Sequence, residues 1–182
     1  MSTKIVTSHI TKTEPEDVPL SCCRHALAME YVPMVKETVL YLDSREFLYI
    51  NGKPEHLLNQ WCIASGSSLD GRLEAVRRLT TITKYKSPVM IDETSMQMFF
   101  PLRSIHTKGE NTWLCDDGIM DLESIERKTT TVMFTNGFRL DIPYDYRMIR
   151  RQQSNCNEIR QILMEQRLRM NLEADYHAKE LN

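Results

Sequence analysis

Thr130-Thr131-Val132-Met133-Phe134-Thr135-Asn136-Gly137-Phe138-Arg139-Leu140-Asp141-Ile142 is the stretch that decides the fold class. β-Branched and aromatic residues alternate with polar ones on both sides of an Asn-Gly pair, as in two half-buried strands joined by a tight turn. A type I′ turn needs positive φ at both central residues, which Asn and Gly tolerate best, so the dipeptide predicts a two-residue loop. Working outward, the signature recurs. Thr38-Val39-Leu40-Tyr41-Leu42 and Glu46-Phe47-Leu48-Tyr49-Ile50 flank Asp43-Ser44-Arg45. Pro88-Val89-Met90-Ile91 and Met96-Gln97-Met98-Phe99-Phe100 flank Asp92-Glu93-Thr94-Ser95. Both read as hairpins. Asn111 to Cys115 and Ile119 to Ile125 are weaker strand candidates, divided by Asp116-Asp117-Gly118.

Between the hairpins the period changes. Asn51-Gly52 ends a strand with a tight turn, and Pro54 sits at a first helical position before Leu57, Leu58 and Trp61, predicting a helix to about Ala64. Ser67 reads as the N-cap of a second helix, with Asp70 three residues on. Leu69, Leu73, Val76 and Leu79 carry its apolar face, and the run Thr80 to Thr83 ends it. After Pro143 helical spacing returns, with Cys156, Ile159, Leu163, Gln166 and Met170 on one face. The fold class is α+β: a mainly antiparallel sheet of short strands and hairpins, with short helices and a C-terminal helix. The expected divisions are an irregular N-terminal arm over 1–26, a core over 27–150, and a C-terminal helix and tail over 151–182.

Composition narrows the function classes. The chain has 182 residues, 41% of them hydrophobic, and a mean hydropathy of −0.42, which suits one soluble domain. No apolar run is long enough for a membrane span, and Met1 to Pro19 lacks the apolar core of a secretory signal. The five cysteines, Cys22, Cys23, Cys62, Cys115 and Cys156, are scattered and odd in number, which predicts reduced thiols and a cytoplasmic location. Cys22-Cys23-Arg24-His25 lacks a spaced second pair of ligands, so neither metal nor other cofactor is expected.

The net charge is −2, yet it is segregated. Residues 72–86 hold five cations, Arg72, Arg77, Arg78, Lys84 and Lys86, against Glu74 alone. A second basic stretch, 147–169, holds six arginines against two glutamates. Such concentration in an acidic chain favours polyanion contact over a merely solvated face.

A chain of short motifs, in order, then resembles a known family. Trp61-Cys62-Ile63-Ala64-Ser65-Gly66-Ser67-Ser68-Leu69-Asp70-Gly71-Arg72 is similar to the Cys-containing segment and Gly-Ser-Ser-x-x-Gly-Arg of the ComK family of competence transcription factors. Lys86-Ser87-Pro88-Val89-Met90-Ile91-Asp92 resembles its Lys-x-Pro-hydrophobic-Met-hydrophobic-Asp strand, and Phe99-Phe100-Pro101, Trp113 and Thr135-Asn136-Gly137 to Pro143 continue the likeness. It covers roughly residues 38–150. The resemblance implies an activator of DNA-uptake genes in a Gram-positive bacterium. It further implies binding to paired AT-rich boxes through the minor groove, self-association on double-stranded DNA, and delivery to a Clp protease by a MecA-like adaptor. The implied location is cytoplasmic and nucleoid-associated.

The residues supply a partial rationale. Gly66-Ser67-Ser68 before a helix, with Arg72 on its first turn, offers hydroxyls, amides and a guanidinium to a phosphate. The same residues also suit an ordinary capped helix packed closely on its neighbour. The expected DNA-contacting residues are therefore Ser67, Ser68, Arg72, Arg77, Arg78, Lys84 and Lys86. In the C-terminal helix, the Ile159, Leu163 and Met170 seam suits either docking to another copy or closing its own core. Among enzymes, Asp117 with Glu126-Arg127-Lys128 loosely matches the carboxylates and lysine of metal-dependent nucleases. The histidines are isolated, and no catalytic residues are assigned. A regulator acting only through protein contacts is the other alternative.

Overall fold

The computed structural model describes residues 12–82, 87–103 and 111–180. Its strands are β1 (Ala26–Val32), β2 (Glu37–Leu42), β3 (Phe47–Asn51), β4 (Val89–Asp92), β5 (Gln97–Arg103), β6 (Asn111–Cys115), β7 (Ile119–Glu126), β8 (Thr129–Phe134) and β9 (Arg139–Ile142). The helices are α1 (Leu20–Cys23), α2 (Pro54–Ala64), α3 (Leu69–Leu79) and α4 (Tyr146–Glu180). Two antiparallel sheets result, one of six strands in the order β3-β2-β1-β6-β5-β4 and one of three, β7-β8-β9. The expected α+β class and all three hairpins are present. The two weaker candidates do not pair with each other. Instead β6 lies between β1 and β5, and the turn at Asp116–Gly118 carries the chain from the large sheet to the small one.

Side-chain alternation makes the large sheet the middle layer. Met29, Val89, Ile91, Phe99 and Trp113 point to one face, where Leu57, Leu58, Trp61 and Cys62 of α2 cover them. Their neighbours Ala28, Met90, Phe100 and Leu114 point to the other, against Leu122, Val132, Phe134 and Ile142 of the small sheet and Ile149, Cys156 and Ile159 of α4. A strand buried on both faces needs near-continuous apolar sequence, which is why Val89-Met90-Ile91 and Met98-Phe99-Phe100 lack a polar side. Each such large side chain contributes roughly 1.5–3 kcal/mol on burial.

Proline in the central strand β5 is accommodated because β4 stops short. Val89 pairs with Phe99, so β5 has no outer neighbour at Pro101. The Pro101 carbonyl accepts from Gln152 Nε2 of α4 at 2.8 Å, so the helix supplies what the missing strand would have.

Four expectations are corrected. The Asn136-Gly137 loop is not type I′, since only Gly137, at φ 79°, lies in the left-handed region. Gly137 N donates to the Phe134 carbonyl and Phe134 N to Phe138, closing a three-residue loop over 135–137. A tertiary tie holds Asn136, whose Nδ2 donates to the Asp43 carbonyl at 2.7 Å while Arg45 donates to its own carbonyl. Second, the expected irregular arm is built in from Lys12 onward. Thr13 bridges Ile50, and Pro15, Val18 and Cys23 are buried. Third, the expected division at 151 falls inside the C-terminal helix, which starts at Tyr146 soon after Pro143 and whose first half belongs to the core. Fourth, Ser68, not Ser67, caps α3, accepting from Gly71 N at 3.0 Å. Ser67 is already engaged at the end of α2: Gly66 (φ 88°) donates to Ile63 and Ser67 N to Cys62, a Schellman closure.

Candidate nucleic-acid interface

The expected contact residues lie along α3, but in two different settings. At its N-terminus the first-turn amides are largely engaged. Leu69 N donates to Asn59 Oδ1, Gly71 N to the Ser68 hydroxyl and Arg72 N to the Ser68 carbonyl, each at 3.0 Å. Asp70 adds a negative charge to the same turn. Arg72 turns inward: its side chain is 10% exposed, and it donates to the Ser65 carbonyl at 3.0 Å and faces Glu93 at 3.8 Å. It thereby ties the α2–α3 junction to the β4–β5 turn. Beside it, burial pushes the Cys62 thiol up to about 11, with the Arg72 charge working against the rise. Ser67, Ser68 and Arg72 thus form a corner turned largely onto itself, although Arg72 Nε and Ser65 Oγ are buried in it without a hydrogen-bond partner.

The C-terminal end of α3 differs. Arg77 donates to the Leu73 carbonyl and pairs with Glu74 at 3.1 Å, and Arg78 pairs with the same glutamate at 3.1 Å. One carboxylate serves two guanidiniums, so the pair keeps a surplus of positive charge. Arg78 is 78% exposed, which leaves its surface pairing weak and exchangeable. Lys84 and Lys86, the remaining expected contacts, lie outside the described residues.

Topology sets where this charge sits. β1 and β3 end, and β2 and β4 begin, at the same end of the large sheet, as the pairings Val32↔Glu37, Glu37↔Asn51 and Val89↔Phe99 require. β5 finishes and β6 begins there too, at Arg103↔Asn111. α2 departs from this end after Lys53, and α3 returns toward β4 with Arg77 and Arg78 in its last turn. Lys36 and Lys53 are exposed at this end. Its buried carboxylate, Glu37, is paired with Lys12. The α2–α3 corner occupies the opposite end, and periodicity along one helix could not have revealed that separation.

The second basic stretch is largely spent on the protein itself. Arg160 of α4 clamps Asp116 at 2.6 Å and Asp117 at 2.7 Å. Arg167 donates to the Glu93 carbonyl, and Arg150 stacks on Tyr146 and reaches toward Asp121. Arg151 and Arg169 are exposed. The nuclease-like residues do not converge: Asp117 is held by Arg160, and Glu126 lies at the far end of β7, about 25 Å along the chain. Among the described residues, no group of three or more His, Cys, Asp and Glu side chains gathers as a metal site.

The protein is thus of the two-sheet α+β class, with Lys36, Lys53, Arg77 and Arg78 toward one end of its large sheet. The family described as ComK protein matches residues 29–168, and the chain belongs to that family. It is similar to the Competence transcription factor of Bacillus subtilis (strain 168), with 29% identity over 104 residues. That likeness spans 57% of this chain and about half, 53%, of the relative. No solved structure matches the chain.

Proposed function

We propose that the protein is a DNA-binding transcription activator of competence genes, taking AT-rich boxes through the minor groove and self-associating there. The observation that carries this reading is the family match over 29–168, which takes in β2 to β9, most of β1 and the whole of α3. The relative's designation as a competence transcription factor supports the same reading. Arg77 and Arg78, with Lys84 and Lys86 further along the chain, are the proposed phosphate or groove contacts. Ser67, Ser68 and Arg72 serve as supports that fix the direction of α3. The core over 27–150 carries the DNA contacts, and within 151–182 the part of α4 beyond its buried residues favours self-association. A cytoplasmic, nucleoid-associated location and a MecA-like Clp protease adaptor complete the proposal.

The test is a mobility-shift titration on an AT-rich two-box duplex and a GC-rich control of equal length, with Mg²⁺ present. Preferential, uncleaved shifts of the AT-rich duplex are expected. Cleavage would revive a nuclease reading, and absence of any shift would leave a regulator that acts through protein contacts.

A further inference from the structure

The turn joining β1 to β2 breaks the usual rule that apolar side chains avoid a loop tip. Val32, Pro33, Met34 and Val35 are all exposed, Met34 at 95% and Val35 at 54%. Four consecutive exposed apolar residues are a solubility liability unless something uses them.

This tip is also braced. Val35 N donates back to the Val32 carbonyl, and Lys36 adopts a left-handed φ of 56° that turns the chain into β2. The Lys36 carbonyl accepts from Gly52 N at 3.0 Å, while the buried Thr38 hydroxyl donates to the Gly52 carbonyl at 2.8 Å. The hairpin end is thus locked to the β3–α2 turn and projects as a rigid point. Around its base lie the exposed Lys36 and Lys53, and the neighbouring Glu37 is neutralised by Lys12. The point stands at the same sheet end toward which Arg77 and Arg78 lead.

We infer that Met34 and Val35 form a wedge that enters the DNA minor groove and unstacks a base step, kinking the duplex. This inference rests on the DNA-binding reading above and deepens it. An apolar point flanked by Lys36 and Lys53 suits that role: the cations hold phosphates beside it, and the apolar tip replaces base stacking with side-chain contact. A flexible, fully solvated loop would forfeit the gain to ordering entropy, whereas this one is held by backbone bonds on both sides. A flexible pyrimidine–purine step such as TA, frequent in AT-rich sequence, is the cheapest site for such a kink.

The experiment uses the full chain and an AT-rich duplex bearing a fluorophore pair at its ends and 2-aminopurine beside a central TA step. With wild-type protein, energy transfer should rise as the duplex bends, and 2-aminopurine emission should rise as the step unstacks. Met34→Ser/Val35→Ser should lose both signals and bind about tenfold or more weakly, since a wedge contributes on the order of a kcal/mol or more. Met34→Leu should keep both, because it retains an apolar point. Circular dichroism should be unchanged throughout, as Met34 is almost fully exposed and Val35 more than half so. A serine variant that bends and binds like wild type overturns the wedge while leaving the DNA-binding reading standing. So does one that still bends DNA but loses self-association, since the tip would then contact protein. Wild-type protein that binds neither this duplex nor any other overturns both.

Discussion

Arg160 is the side chain that ties α4 to the acidic turn at Asp116–Gly118. It holds Asp116, which is only 8% exposed, together with Asp117, and its Nε approaches the Met96 carbonyl. Removing the cation from such a site leaves a buried carboxylate without its counter-charge, which costs far more than the pair itself contributes. Arg160→Met should therefore destabilise the fold by roughly 3 kcal/mol in urea unfolding. Asp116→Asn combined with Arg160→Met should recover much of that loss. Glu30 offers a second test. Tyr41 donates to it at 2.7 Å across the β1–β2 pair, and burial raises its carboxyl above the usual 4.5, the hydrogen bond opposing the rise. A raised folded-state pKa stabilises at low pH, fully below about 4.5, and that stability disappears as pH rises through the folded value. Glu30→Gln should remove this pH dependence and leave the protein more stable than wild type at neutral pH. Paired denaturant curves between pH 4 and 7 would reveal it. Equal slopes against pH in both proteins would contradict the assignment.

At the scale of elements, α4 divides into two halves with different work. Ile149, Gln152, Cys156 and Ile159 are buried in the domain's own core, which settles the seam's first residue as packing rather than interface. Leu163 is half-buried beside α3, and Met170 is 69% exposed. The helix is 35 residues and about 52 Å long, so its latter half runs on past the buried stretch. Truncation after Arg150 should give an insoluble or molten chain, since it bares the apolar face of the large sheet. Truncation after Arg169 keeps the Arg160 and Arg167 ties, and should stay folded within about 1 kcal/mol of wild type. If the projecting half joins copies, the second truncation should still bind single boxes but lose cooperativity on two-box DNA. Circular dichroism and shift assays on the two truncations separate these outcomes.

For the whole molecule, the governing feature is charge segregation under a net charge of −2. A chain of that sign binds a polyanion only through a local surplus, so binding should fall steeply with salt. Arg78→Ala should lower the slope of log affinity against log salt by about 1, if the side chain displaces one phosphate counterion. Arg72→Ala should instead weaken the α2–α3 corner and show as lost stability with an unchanged slope. Affinity that is flat in salt for wild type would remove the electrostatic basis of the interface.

Much of the fold was legible because local chemistry dictates it. Pro54 set the start of α2, the Thr80 run ended α3, and paired β-branched runs placed β2, β3, β4 and β5. The fold class and the family likeness followed from the same residues. Other features depended on neighbours distant in sequence. The Asp43 and Arg45 ties accompany a three-residue loop where Asn-Gly alone suggested two, and the Schellman end of α2 took Ser67, leaving Ser68 to cap. A guanidinium reads the same in sequence whether it faces solvent or a buried carboxylate. Only packing turned Arg72 and Arg160 inward and left Arg78 out. The shared sheet end of Lys36, Lys53 and the Met34 tip required the strand order, because residues far apart in the chain meet there through pairing that no local pattern encodes.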